Sequence, residues 1–185
     1  MIDAVRYCLA RLGDFTGRDG RPTFWWYVLF LIVLQFVLGF LASIPLLIET
    51  AGTAMDAAQA GVKGEALQEE MLSSMGGSLA TTGYISAAIA GLVIVLIAAS
   101  LVRRIRDAGL PGWLALIPLG LQVAAVVGSL LLLEQLGDRL AQLRSPAEMD
   151  AFQQEMMLHW SSIAGWLSYL AVFILGILPT RRAAD

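Results

Sequence analysis

Four runs of apolar residues, none with a charged side chain, constrain this chain more than any other feature. They cover residues 24–48, 83–102, 113–133 and 160–178. An α-helix rises about 1.5 Å per residue, so each run is long enough to cross about 30 Å of hydrocarbon. A buried helix in a soluble protein does not explain four such runs. The sequence therefore predicts an all-α integral membrane protein built as a four-transmembrane-helix bundle.

Composition agrees with a single membrane domain. Apolar residues make up 58% of the 185 residues and charged residues 15%, whereas soluble domains are nearer about 45–50% and about 25%. The first run is preceded by a leader with three aspartates, which is not typical of a cleaved signal peptide. The predicted regions are a cytoplasmic interfacial leader at 1–23, transmembrane helices at 24–48, 83–102, 113–133 and 160–178, outer loops at 49–82 and 134–159, and a cytoplasmic tail at 179–185.

The distribution of charge predicts the orientation. Nine of the twelve Lys and Arg residues lie in the leader, the segment 103–112 and the tail, whereas the two predicted outer loops hold three. Ten of the fifteen acidic residues lie in those outer loops. Because positive residues are retained on the cytoplasmic side, we expect both termini to be cytoplasmic.

The leader carries one apolar stripe. Ile2, Val5, Leu9, Leu12 and Phe15 recur at spacings of three and four, which predicts a short amphipathic helix in the membrane interface. A disordered leader is the alternative interpretation.

The outer loops also contain helical patterns. Apolar residues spaced by four predict a short helix near 64–75 that lies over the outer face. Ser145, Pro146 and Glu148 form a capping-box pattern. Helices three and four are therefore expected to extend beyond the membrane as an antiparallel hairpin, with its tip near 144–146. Helix four would run unbroken over 146–178, about 50 Å.

Two amides lie within the apolar runs. Gln35 and Gln122 are each about 14–16 Å from the inner end of their helix. An amide in hydrocarbon needs a partner, so we expect these two to bond to each other and hold helices one and three together. Lining a pore is the alternative role. Pro118 is expected to kink helix three, and the row of Gly120 and Gly128 permits close helix packing.

Two arginine-rich motifs flank the membrane helices. The first, FTGRDGRPTFWW, covers 15–26, and the second, VRRIRDAGLPGW, covers 102–113. Arginine forks bind phosphate and carboxylate alike, and tryptophan is common at membrane interfaces. The interfacial anchors predicted from these motifs are Trp25, Trp26 and Trp113. The predicted polar junction, able to bind an anion or lipid, comprises Arg18, Arg21, Arg103, Arg104, Arg106 and Asp107, with Asp107 paired to one of the arginines. The alternative is that these charges set only topology and one salt bridge.

The two motifs together resemble the family known as domain of unknown function 805. The matching residues are Phe15, Gly17, Arg18, Arg21, Phe24, Trp25 and Trp26, then Arg103, Arg104, Arg106, Asp107, Gly109, Gly112 and Trp113. Arg106 stands where histidine is more frequent in the family, and the acidic outer segments are longer than its usual pattern. The resemblance implies a small, multi-pass protein of the bacterial inner (plasma) membrane and no known reaction.

The residues available for chemistry argue against an enzyme. The chain has one histidine and one cysteine, and no carboxylate lies in a membrane run. No metal-ligand cluster or cofactor motif is present in the sequence, so no metal or cofactor is expected. The favoured function is a non-enzymatic membrane module that interacts with anionic phospholipid, a protein partner or a second copy of itself, and not with nucleic acid. The alternative is a small oligomeric transporter or channel.

Overall fold

A computed structural model describes the backbone of residues 1–61, 64–142 and 146–180, and within these the side chains outside 65–79, 136–138, 140–142, 146–147 and 149. All regular structure in this described part is helical. The helices are α1 (Ile2–Ala10), α2 (Arg21–Gln59), α3 (Glu65–Asp107), α4 (Leu116–Gln142), α5 (Pro146–Leu158) and α6 (Trp160–Ile177), with a 3₁₀ turn at Gly112–Ala115 before α4.

Four segments are long and apolar enough to cross a membrane. They are Arg21–Gln59, Ala80–Asp107, Gly112–Gln135 and Trp160–Ile177. Each contains or closely overlaps one of the four predicted runs. The prediction of an all-α, multi-pass membrane protein with four apolar helices is therefore confirmed.

The helices pack as neighbouring pairs. α2 lies mainly along α3, α4 lies mainly along α6, and α3 also contacts α4. At the end of the molecule where α2 begins and α3 ends, Phe24, Val28, Leu101, Ile105 and Ala115 form a buried apolar cluster. This end is called the junction end below. It is where both arginine motifs lie.

α1 packs against the first turns of α2 through a face that the apolar stripe does not predict. Cys8 is fully buried against Tyr27 and Leu31, whereas Ile2 and Leu9 on the predicted stripe are exposed. The helix also ends at Ala10 and does not continue to Phe15. The contact with α2 is therefore centred on Cys8, while Ile2 and Leu9 of the stripe remain exposed.

The predicted outer loop at 49–82 is mostly continuous helix. α2 continues to Gln59, and α3 begins at Glu65. The short helix expected near 64–75 is therefore the first part of α3, not a separate helix. This segment is rich in alanine, glutamate, glutamine and methionine, which are strong helix formers, and the cost of about 1 kcal/mol per glycine does not interrupt it.

The prediction of one unbroken helix from Pro146 to Leu178 is wrong, because the chain breaks at His159. His159 is extended (φ −60°, ψ 140°), and its Nδ1 accepts a hydrogen bond from the amide of Ser161 at 3.3 Å. Ser162 Oγ donates to the carbonyl of Met156 at 2.9 Å. These bonds satisfy backbone groups at the ends of α5 and α6, so two helices replace one.

A side-chain contact links α5 to α4, and the hairpin itself stays a prediction. Arg139 on α4 and Glu155 on α5 form an exposed salt bridge at 3.6 Å. The proposed cap at Ser145 and the tip at 144–145 lie outside the described residues, although α5 does begin at Pro146.

Of the two glycines in the predicted small-residue row on α4, one lies at a close helix contact. A Cβ on Gly128 would lie 2.5 Å from Trp160 and 2.7 Å from Ser161 Cβ, whereas one on Gly120 would meet nothing within 4 Å. Gly128 therefore permits the close approach of α4 to α6.

Candidate functional site

The last two turns of α3 bring the leader and the end of α6 together at the junction end. Residues 100–107 of α3 lie between residues 8–21 on one side and 176–180 on the other. We call the polar contacts among these three segments the junction. Its two central arginines, Arg103 and Arg104, are fully buried and point to opposite segments.

Arg103 binds the leader through a buried salt bridge. Its Nε lies 2.9 Å from Oδ1 of Asp19, and neither side chain is exposed to solvent. Ser100 Oγ donates to the other carboxylate oxygen at 2.9 Å. Nη1 of Arg103 donates to the carbonyls of Arg11 and Asp14, both at 2.7 Å. One guanidinium therefore replaces the water that the leader's backbone and Asp19 would otherwise bind.

Cys8 completes this buried group. Its Sγ lies 3.9 Å from both Oδ2 of Asp19 and Oγ of Ser100. Burial, and next the negative charge of Asp19, raise the pKa of the Cys8 thiol. The thiol is therefore kept protonated, and a protonated buried thiol is a weak nucleophile.

Gly17 packs closely against the side chain of Arg103. A Cβ on Gly17 would lie 3.1 Å from Cδ of Arg103, which is closer than ordinary contact. The glycine of the first motif thus makes room for the arginine stem of the second.

Arg104 binds the end of α6. Its Nη1 lies 2.7 Å from Oδ2 of Asp107, and its Nε donates to the carbonyl of Gly176 at 3.2 Å. Its Nη2 donates to the carbonyl of Leu178. Thr180 Oγ1 donates to the same Asp107 oxygen at 2.8 Å. Because the last carbonyls of a helix lack intrahelical partners, this guanidinium acts as a side-chain cap for α6.

The loop after α3 is held by the third arginine of the second motif. Arg106 is exposed, and its Nη1 donates to the carbonyl of Phe15. Gly109 has φ +77°, a conformation that favours glycine. A Cβ on Gly112 would lie 3.0 Å from Nε of Arg106. Both glycines therefore serve the turn that leads to α4.

The predicted junction residues divide into three groups. Arg103, Arg104 and Asp107 are buried and paired within the protein. Arg21 and Arg106 are exposed but each donates to a backbone carbonyl, Arg21 to that of Leu178 at 3.0 Å. Arg18 is exposed and makes no hydrogen bond or ion pair with the described part of the chain. The two motifs do meet, and the partner of Asp107 is Arg104 from its own helix.

The three predicted tryptophan anchors differ in how exposed they are. Trp26 and Trp113 are exposed at the junction end. Trp25 is half-buried and packs edge-on against Phe24 and Phe173. It contributes to the contact between α2 and α6, whereas the other two remain available to the membrane interface.

Sequence reasoning missed the residue that pairs with Arg103. Asp19 is the acidic residue between Arg18 and Arg21, and Ser100 lies one turn before Arg103. An acid inside an arginine motif was the available signal for Asp19. The carbonyls that accept from the arginines carry no such signal, because every residue has one.

Gln35 and Gln122 line one cavity but do not bond to each other. The cavity is about 830 Å³ and is bounded by α2, α3, α4 and α6. Oε1 of Gln122 is buried and has no hydrogen-bond partner in the described part of the chain. The predicted hydrogen bond between Gln35 and Gln122 is therefore not formed, because α2 and α4 do not pack closely against each other.

The chain belongs to the family described as "Protein of unknown function (DUF805)", whose sequence profile matches residues 12–184. This confirms the resemblance carried by the two motifs. No curated protein and no solved structure matches the chain. Membership assigns no reaction, because the family is described as one of unknown function.

Proposed function

We propose that this protein is a non-enzymatic module of the bacterial inner membrane that binds anionic phospholipid at its junction end. Both termini are cytoplasmic in this proposal, and the four long helices form a bundle across the bilayer. α1 lies in the inner interface with Ile2 and Leu9 in the lipid, and α4 and α5 project from the outer face as a hairpin. The charge asymmetry of the sequence supports this orientation.

The observation that carries the proposal is the division of the arginines. Arg103 and Arg104 are neutralised by buried carboxylates. The arginines that stay exposed at the junction end form no salt bridge with the described part of the chain, and they are Arg6, Arg11, Arg18, Arg21 and Arg106. Their charge is therefore available to a ligand outside the protein.

Phospholipid is favoured over an acidic protein because of what surrounds these arginines. Trp26 and Trp113 are exposed at the same end, where they would lie at headgroup depth. Each arginine near an anionic surface contributes about 1 kcal/mol of attraction. The buried part of the junction holds the leader, and so Arg18 and its neighbours, in place next to the membrane helices.

The test compares lipid retention in a charge variant and a matched control. We would reconstitute the protein in nanodiscs of phosphatidylcholine and phosphatidylglycerol, extract it into detergent, and measure the retained lipids by mass spectrometry. The triple substitution Arg18→Gln, Arg21→Gln and Arg106→Gln should reduce the preference for phosphatidylglycerol by up to about 100-fold, at about 1 kcal/mol per charge.

Arg139→Gln is the control, because Arg139 is an exposed arginine on α4 far from the junction end. This variant should retain phosphatidylglycerol as the parent protein does. Equal retention by the triple variant and the parent would contradict the proposal, and equal loss in both variants would show a nonspecific effect of charge.

A small oligomeric transporter or channel is the second candidate, and the cavity of about 830 Å³ favours it. Its lining contains two amides but no charged side chain, whereas transport sites commonly carry intramembrane charge. Solute flux in proteoliposomes that is lost on filling the cavity would support this candidate over the lipid-binding module.

A further inference from the structure

The break between α5 and α6 lies in a segment whose sequence is compatible with one continuous helix. No glycine or proline, the strongest helix breakers, occurs in residues 147–164. Apolar residues keep helical spacings of four, four and three through the break at His159, and they are Phe152, Met156, Trp160 and Ile163. The broken form must therefore be held by local side-chain bonds, and the same residues could form an unbroken helix when those bonds are lost.

The ring of His159 holds the first turn of α6 in the broken form. Its Nδ1 accepts a hydrogen bond from the amide of Ser161 at 3.3 Å and lies 2.8 Å from Oγ of the same residue. Ser161 is buried, so water does not readily replace this bond. A ring nitrogen accepts a hydrogen bond only while it carries no proton. The bond from the amide of Ser161 therefore requires a neutral His159.

The charges around His159 also disfavour its protonation in the broken form. The amides at the start of α6 are the positive end of the helix dipole, which repels a cation, and α6 itself carries no charged side chain. In the described part of the chain, Arg139 on α4 and Glu155 on α5 are the charged side chains that line the small space beside His159. Arg139 repels an imidazolium there. Glu155 precedes His159 by four residues, a spacing at which opposite charges attract on a continuous helix.

We propose that His159 is a pH-sensitive switch between a broken and a continuous α5–α6 helix. The neutral ring caps α6, and the protonated ring loses the cap, so that residue 159 becomes helical and joins the two helices. A proton that binds the continuous form better shifts the population towards it. The broken form is therefore favoured at high pH and lost as the pH falls through the range of about 5 to 8 in which histidine side chains titrate.

The switch is independent of lipid binding at the junction end. In the orientation proposed above, His159 lies at the outer surface, so it would respond to the pH on that side of the membrane. The continuous form would also turn α5 away from α4, because Arg139 and Glu155 contact each other across the bend.

The experiment uses the full chain in nanodiscs and one labelled residue, because His159 is the only histidine. With histidine labelled by ¹³C and ¹⁵N, the ring nitrogens report protonation in NMR spectra. The carbonyl and Cα signals of the same residue report whether its backbone is extended or helical. Between about pH 8 and about pH 5, we expect the ring to become protonated and the backbone to change from extended to helical with the same midpoint.

A first variant separates the cap from the proton. His159→Asn provides a side-chain oxygen, which is among the best caps at this position of a helix, and it has no group that titrates in this range. The chain contains no asparagine, so labelled asparagine again reports residue 159 alone. We expect the backbone of this residue to stay extended from about pH 8 to about pH 5.

A second variant weakens the break without changing the histidine. Ser162 Oγ donates to the carbonyl of Met156 at 2.9 Å, and on a continuous helix these residues would be about 9 Å apart along the axis. Ser162→Ala should therefore increase the ratio of continuous to broken form about fivefold at high pH, as expected for one hydrogen bond. Ser129→Ala is the control, because the hydroxyl of Ser129 bonds within α4 at 2.8 Å from the carbonyl of Val126.

Four outcomes would overturn the proposal. They are a backbone that stays extended after the ring is protonated, a ring that stays neutral down to about pH 5, the same backbone change in His159→Asn, and equal ratios in Ser162→Ala and Ser129→Ala. Circular dichroism and gel filtration would show that each variant is folded.

Discussion

At the junction end, three segments meet around buried charge, whereas further along the helices α2, α3, α4 and α6 bound a cavity of about 830 Å³. The junction joins residues far apart in sequence through bonds such as Arg103 to Asp19 and Arg104 to Gly176. Each region keeps one buried polar atom without a hydrogen-bond partner in the described part of the chain, Nη2 of Arg103 at the junction and Oε1 of Gln122 in the cavity.

This contrast indicates how the helices are positioned. Apolar side chains give no strong preference for one helix contact over another within lipid, because lipid tails are equally apolar. Buried ion pairs and guanidinium–carbonyl bonds require defined partners, so they can specify one arrangement. The junction therefore fixes the positions of the helix ends that meet there. It does not fix how closely the helices pack further along.

The largest loss of unfolding free energy is expected from removing the carboxylate of Asp19. Asp19→Ala leaves the guanidinium of Arg103 buried without its carboxylate, which should cost about 3–5 kcal/mol of unfolding free energy. Thermal unfolding in detergent, followed by tryptophan fluorescence, measures the loss. Asp3→Ala is the control, because Asp3 is an exposed leader acid. An unchanged melting temperature for Asp19→Ala would show that the salt bridge does not hold the leader.

The second largest loss of stability is expected from crowding the contact between α6 and α2 at the junction end. Gly176→Ala would place a Cβ 2.8 Å from Phe24 and 2.9 Å from Trp25, and overpacking of this kind costs about 1–3 kcal/mol. Gly120→Ala is the matched control, because a Cβ there meets open space, and it should stabilise helix α4 slightly. Equal melting temperatures for the two variants would contradict the close packing.

A smaller effect tests which residues Asp107 contacts. A double-mutant cycle with Asp107→Asn and Thr180→Val should give a coupling of about 0.5–1.5 kcal/mol, since the two side chains share a 2.8 Å hydrogen bond. The same cycle with Arg21→Gln should give a weaker coupling, because Arg21 donates to the Leu178 carbonyl. Unfolding free energies measured in detergent provide both values. The reverse order would mean that Arg21 pairs directly with Asp107.

The smallest change in unfolding free energy is expected for substitutions of the two glutamines that line the cavity. Gln35→Leu should change the unfolding free energy by less than about 0.5 kcal/mol, because Gln35 makes no hydrogen bond to Gln122. Gln122→Leu should leave the protein equally or more stable, because it removes a buried acceptor that has no partner in the described part of the chain. A loss of more than about 1 kcal/mol in both variants would restore the predicted bond between the amides.

Much of the fold could be predicted from hydropathy. The four apolar runs correspond to the four long helices, because the need to satisfy backbone groups in lipid allows few alternatives. Helix ends were predicted less well. The break at His159 depends on a side-chain cap from His159 to Ser161, and the extension of α2 to Gln59 depends on helix propensity beyond the apolar run.

The candidate site could be predicted only in part. The two motifs indicated that Arg21, Arg103, Arg104 and Asp107 lie near one another, and they do. The sequence did not distinguish buried from exposed arginines, because burial depends on which acceptors the neighbouring segments present. Asp19 and the carbonyls at residues 11, 14, 176 and 178 are those acceptors.

The sequence by itself determined that this protein is an all-helical membrane protein of the DUF805 family, since uncharged helical length and motif spacing are local properties. The tertiary structure alone decided that Arg103 and Arg104 are buried while Arg18 remains exposed, and that Gln35 and Gln122 line a cavity and do not bond to each other. The physical reason is that pairing and burial depend on distances between segments far apart in the chain, and those distances follow only from how the helices pack.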